Sequence, residues 1–201
     1  MLDTHYLTTA DKSESNVRFC HGNSNEAFSP CTYGAVDPLN WLSKLETEME
    51  DEDRDIVTLL IENYVEPDHL KTVLDDVGLS DMMYVHDMNT EWPTLIELID
   101  MDKRLVVFWE QSGDSEHPYF HDFLEFGWTT DYANDDTESM NCDPHRGDSN
   151  QPVYHMNNWL KNQAGLSDSQ RAAEANDVDF MVERAIAVSY THLTLPTNRE
   201  V

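Results

Sequence analysis

The chain has 201 residues, and its 12 Lys and Arg stand against 40 Asp and Glu, a net charge of −28. That length supports one ample core and is short for two, while a 39% hydrophobic fraction with five Trp, eight Tyr and seven Phe excludes a disordered chain. The charge excludes a nucleic-acid partner, whose phosphates it repels, and leaves any peripheral membrane contact to a local patch, an apolar insertion or a bridging cation.

The acidic residues are spread along the whole chain, which reads as a solvated surface rather than an acidic binding face. No run of 18 apolar residues is present, so no transmembrane segment is expected. Met1-Leu2-Asp3-Thr4-His5 has neither a basic start nor an apolar stretch behind it, so no signal peptide is read there. Met1 opens directly on a strand, which fits an internal methionine as well as a true start.

In chain order, Val17 to Cys20 reads as a short strand. Pro38 to Met49 reads as a helix, with Asp37 as N-cap, Pro38 at the first helical position, and Leu39, Leu42, Leu45 and Met49 on one face. Ile56 to Ile61 is a near-continuous apolar run of the kind that forms strands buried on both faces. Glu66 to Val77 follows as a helix stopped by Gly78. Met82 to Val85 is a weak strand, and Trp92-Pro93-Thr94 opens a short helix through Ile99. Arg104 to Trp109 is a second buried strand and Phe126 to Tyr132 a further one. Ala133 to Asn150 is a polar, turn-rich loop. Val153 to Asn157 is a strand and Asp177 to Ala187 a helix.

Alternating strands and helices predict a parallel α/β architecture. A (β/α)8 TIM-type barrel and an open doubly wound sheet both fit, but no glycine-rich phosphate loop follows any strand, which weighs against the dinucleotide-binding version. In a barrel the chemistry gathers at the C-terminal ends of the strands. The candidates there are Asp3, His5, His21, Glu62, Glu110 and Asn157.

Strand alternation puts Asp3 and His5 on one face. Glu62 and Glu110 each close an apolar run, a position where a buried carboxylate needs a partner, a proton or a metal. Histidines among carboxylates suit phosphoryl chemistry: a near-neutral histidine moves protons, and a hard cation held by carboxylates neutralises phosphate charge. Three cysteines are present; Cys20 and Cys31 are close enough to bridge, leaving Cys142, and three buried thiols fit as well.

Val188 to Thr197 resembles the in-frame translation of a transposase sequencing adapter, so residues 188–201 are set aside as a non-native tail and residues 1–187 taken as the domain.

Leu2-Asp3-Thr4-His5, Phe19-Cys20-His21-Gly22 and Val57-Thr58-Leu59-Leu60-Ile61-Glu62-Asn63-Tyr64 resemble the phosphatidylinositol-specific phospholipase C-like phosphodiesterases. So do Trp92-Pro93-Thr94-Leu95, Arg104 to Phe108, Cys142-Asp143-Pro144-His145-Arg146-Gly147 and Asn157-Asn158-Trp159-Leu160. The resemblance implies a distorted (β/α)8 barrel, here incomplete at both ends, and a secreted enzyme. It implies catalysis by two histidines. His21 matches the acid that protonates the leaving alcohol, and the other lies on a strand that would precede Met1. Asp3 matches a strand-closing carboxylate. His5 stands where related enzymes carry an arginine or an acid, and Glu62 matches a calcium ligand.

The expected site is therefore His21, Asp3 and His5 for catalysis, with Asp3, Glu62 and His5 holding Ca2+ or another divalent metal. Glu110, Asn157 and Arg146 are expected to contact substrate. The expected activity is cleavage of a phosphoinositide or related phospholipid, weak in the absence of the first histidine. A sphingomyelinase D-type phosphodiesterase and a non-catalytic secreted binding module are the alternatives.

Overall fold

The computed structural model describes residues 2–22, 31, 34–87, 90–110, 116–132, 134–163, 165 and 167–192. Its contacts divide into two compact units, residues 1–123 and residues 124–201. The tail from residue 193 onward lies outside the described residues.

The first unit is built on a five-stranded sheet. Strand β1 (Leu2–Tyr6) turns back into β2 (Val17–Phe19), and the two pair antiparallel. Helix α1 (Pro38–Asp51) begins where the sequence predicts, with the Asp37 carboxylate accepting from the Leu39 N–H at 3.0 Å and Pro38 at the first turn. Leu42 and Met49 are buried as expected, but Leu39 is 42% exposed, so the apolar face is narrower than its leucine spacing suggests. Strand β3 (Val57–Asn63) lies parallel to β1, and helix α2 (Pro67–Asp76) follows it. Gly78, with φ at 84°, ends that helical run in the left-handed conformation glycine adopts without strain.

Met82 to Val85 does not form a strand. A 3-10 turn covers Leu79–Met82, and only Met83 bridges to Leu105. Helix α3 (Leu95–Asp100) is held by a reciprocal capping box between Thr94 and Glu97. Strand β4 (Leu105–Trp109), buried throughout, runs parallel to β3, and the two-residue β5 (His121–Asp122) runs parallel to β4. The sheet order is β2-β1-β3-β4-β5.

One face of this sheet carries the core. Tyr6, Val17, Phe19, Leu59, Ile61, Leu105, Val107 and Trp109 pack with Leu42 and Met49 of α1 and Leu70, Val73 and Leu74 of α2. Each large apolar side chain buried here contributes about 1.5–3 kcal/mol. Arg104, just ahead of β4, is buried and donates to the carbonyls of Met49 (2.7 Å) and Glu52 (3.1 Å), satisfying acceptors at the end of α1.

A four-residue helix, α4 (Phe123–Phe126), leads into the second unit. There β6 (Gly127–Thr129) pairs antiparallel with β7 (Arg146–Gly147) and parallel with β8 (Val153–His155). Helices α5 (Ala172–Ala175) and α6 (Val178–His192) complete it. Gly147 has φ at 82°, and a Cβ there would meet the Gly127 carbonyl oxygen at 2.3 Å, so the β6–β7 contact requires glycine. Buried Arg184 of α6 donates to the carbonyl of Asn157 (2.7 Å), the side-chain oxygen of Asn158 (3.0 Å) and the carbonyl of Met140 (3.3 Å).

The protein is thus mixed α/β, with two sheets and six α-helices among the described residues. Those strands do not close into a barrel.

Candidate active site

Alternation decides which side chains leave the helix-packed core. On β1, Leu2 and Tyr6 go to the core, so Asp3 and His5 occupy the opposite face. On β3 the core takes Leu59 and Ile61, and on β4 Val107 and Trp109, which assigns Glu62, Tyr64 and Glu110 to the same face as Asp3. Register then aligns them. Asp3 pairs with Glu62, and Glu110 stands one residue beyond the Ile61–Trp109 pair, its N–H donating to the Ile61 carbonyl at 2.9 Å. Three carboxylates therefore form a row across three adjacent parallel strands.

Of the row, Glu110 closes its strand as the sequence suggests, while Asp3 and Glu62 lie within theirs. Strand β1 runs three residues past Asp3 to Tyr6, and β3 runs one past Glu62. The extension carries a second level, where the buried ring of His5 stacks on Tyr64 with centroids 4.4 Å apart.

His21 reaches the row from the antiparallel side. The Cys20 N–H donates to the Asp3 carbonyl at 3.1 Å, and His21 Nδ1 bonds Asp3 Oδ2 at 2.7 Å. A carboxylate only accepts, so Nδ1 carries a proton in this pair and Nε2 is left to exchange one. The Asp3 side chain is 15% exposed and that of His21 81% exposed.

Burial tunes the neighbours. It pushes the Glu62 carboxyl above its ordinary range, and the Asp3 and Glu110 charges push it further, against the Tyr64 hydroxyl that donates to it. The Tyr64 hydroxyl is itself raised, by burial and then by Glu62. Burial lowers His5, against the attraction of Asp3, and His21 lowers it further. His5 is a neutral ring whose buried Nε2 has no hydrogen-bond partner. Tyr64 is the residue that strand-end reasoning missed; its position two past Glu62, on the same face, was the available signal.

The expected metal ligands Asp3, Glu62 and His5 come together, with one oxygen of each carboxylate engaged by a neighbour and His5 Nε2 unpartnered. Asp3 Oδ2 is taken by His21 and Glu62 Oε1 by Tyr64. Among the described residues no group of three or more His, Cys, Asp or Glu side chains is placed to hold a metal ion.

Asn157 and Arg146 belong to the second unit. The Asn157 side chain donates to the Thr130 carbonyl at 2.9 Å, and its N–H donates to the Thr130 hydroxyl at 2.9 Å. Arg146 is half-buried on β7. The cysteine alternatives resolve into a Cys20–Cys31 disulfide, with Cys142 outside it.

Fold and site define an α/β protein with a row of carboxylates on its parallel strands and a histidine paired to one of them. A family model described as PI-PLC X 1 matches residues 3–192, so the chain belongs to the PI-PLC X family. PI-PLC X domain-containing protein 1 of Arthroderma benhamiae is 25% identical, over 77% of this chain and 57% of that protein. A second protein of that organism, named Uncharacterized secreted protein, is 28% identical over 60% of this chain and 30% of its own length. The chain thus spans 57% or less of these curated relatives. No solved structure matches it.

Proposed function

We propose that this chain carries the proton-donating part of a phosphodiesterase site that acts on a phosphoinositide or related phospholipid, on a distorted (β/α)8 barrel of which β1, β3, β4 and β5 form one arc. The observation that carries the proposal is the 2.7 Å pair of His21 and Asp3 beside the carboxylate row.

In this reading a hydroxyl of the substrate attacks phosphorus, losing its proton to a base, the role that the resemblance gives to a second histidine, and the bond from phosphorus to the lipid alcohol breaks. His21, protonated on both nitrogens, gives its Nε2 proton to the departing oxygen. Asp3 holds the ring and offsets the imidazolium charge. The residues do not suggest that carboxylates bind the phosphate, which they repel. They suit the hydroxyls of a polyol headgroup, for which carboxylate oxygens are acceptors. Burial and the neighbouring Asp3 and Glu110 charges raise the Glu62 pKa, which lessens the repulsion. No step runs through a metal, and a chelator is expected to leave the rate within about twofold.

An extracellular setting is supported by the disulfide and by the name of one relative. Among the described residues no helix is long and apolar enough to cross a membrane, so lipid contact would be peripheral.

The test is turnover of the purified chain on phosphatidylinositol vesicles, with release of the phosphorylated headgroup measured. Cleavage that is lost in His21→Ala supports the proposal. A His21→Ala variant as fast as the parent overturns it. Inhibition by a choline phosphate rather than an inositol phosphate would move the reading to a choline phosphodiester. Binding without turnover would leave a non-catalytic module.

A further inference from the structure

His21 is an exposed side chain asked to keep one orientation. With 81% of the side chain in solvent, packing does little to fix the ring, and its bond to Asp3 competes with water. What fixes it must come through the backbone.

Two constraints meet immediately before it. Phe19 and Val36 exchange both backbone hydrogen bonds, at 3.0 and 2.9 Å. Next to Phe19, Cys20 is held on one side by its N–H bond to the Asp3 carbonyl and on the other by its disulfide to Cys31. Both cysteines are buried. Cys20 is therefore anchored to the residue whose carboxylate His21 must meet, and His21 is the next residue in the chain.

We infer that the Cys20–Cys31 disulfide is a positioning element for His21, holding its imidazole against Asp3 rather than merely stabilising the fold. The inference rests on the reading of His21 as the proton donor. Without the bridge, Cys20 keeps its 3.1 Å backbone bond to Asp3 at the edge of the sheet, and the residue that follows it gains conformational freedom. Reduction breaks the S–S bond; each sulfur gains one electron and one proton from a dithiol, which is oxidised to its own disulfide. Activity then falls on reduction, because the bridge is intact only in the oxidised protein.

The experiment compares the full chain with Cys20→Ala/Cys31→Ala, and separately with parent protein reduced by dithiothreitol. Misplacing a catalytic group costs up to about a hundredfold, and a loosened rather than lost group is expected to lower kcat about tenfold with KM within about twofold. In a His21→Ala background the same cysteine changes should cost nothing further. By NMR relaxation, the order parameter of the His21 amide should drop from a rigid value near ~0.85 to below about 0.6, while that of β3 and β4 stays high.

An unchanged kcat, an equal loss in the His21→Ala background, or a His21 amide that stays rigid without the bridge overturns the inference. If the parent protein cleaves no phosphodiester, the proposed function fails by that result alone, and the NMR comparison still decides whether the bridge positions His21.

Discussion

The five-stranded sheet carries a histidine at each edge, His21 just past β2 and His121 in β5, and the two are held in opposite ways. The ring of His121 is buried, its Nδ1 donating to the Val107 carbonyl at 3.0 Å and its Nε2 accepting from the His86 N–H at 3.0 Å. Both nitrogens are committed to backbone, so a second proton can enter only by displacing a donor. Burial lowers its pKa, against the Val107 bond and together with His86. His21 spends one nitrogen on a carboxylate and keeps the other in solvent. On the proposed reading, burial does not mark the histidine that moves a proton; a spare nitrogen beside a charge does.

The sharpest break of this comparison is reciprocal substitution. His21→Ala should lower phosphodiester cleavage by about 10²–10⁴-fold, the usual contribution of a general acid, with little change in Tm. His121→Ala should do the reverse, costing about 2–4 kcal/mol of stability in urea melts through a cavity and two unpaired backbone groups. Equal stability losses at the two sites would dissolve the contrast.

A smaller effect separates the edges by pH. The folded pKa values of His121 and His5 lie below the ordinary 6.5. Below pH 6.5 the unfolded chain takes up protons that the folded one does not, so stability is full above that point and falls as the pH drops. Glu62, raised above 4.5, acts with the opposite sign: its contribution is full below 4.5 and is lost as pH rises through its folded pKa. His121→Gln should therefore flatten the loss of stability measured by urea melts between neutral pH and pH 5.5. An unchanged slope would show that His121 titrates normally.

The smallest effect is Tyr64→Phe. Its hydroxyl lowers the Glu62 pKa, so removing it should move the Glu62 titration upward, read by carbon NMR of labelled glutamate, while the stack on His5 persists. A downward move would reverse the assigned donor.

Much of the first unit was legible in the sequence. Asp37-Pro38, the two apolar runs and Trp92-Pro93-Thr94 mark their elements because capping and burial are local rules. Met82 to Val85 misled because its apolar residues suit a strand but only Met83 finds a partner. The two residues of β5 are too few for any periodic signal. At the site, residue types were readable, while the row of Asp3, Glu62 and Glu110 was not, because it depends on register between strands far apart in the chain. The bond of Tyr64 to Glu62, by contrast, spans two residues and was open to strand alternation. The pairing of Cys20 with Cys31 could not be separated from free thiols by spacing alone.

The pairing of Asp3 with Glu62 has a genetic consequence. Side chains alternate along β1, so deleting one codon between Leu2 and Tyr6 would exchange the faces, sending Asp3 or His5 towards the apolar core and Thr4 or Tyr6 towards the carboxylate row. The turn over residues 7–16 lies mostly on the surface and can absorb length changes more readily. The family should therefore record its insertions in that turn, and keep the length of β1 even where its letters drift.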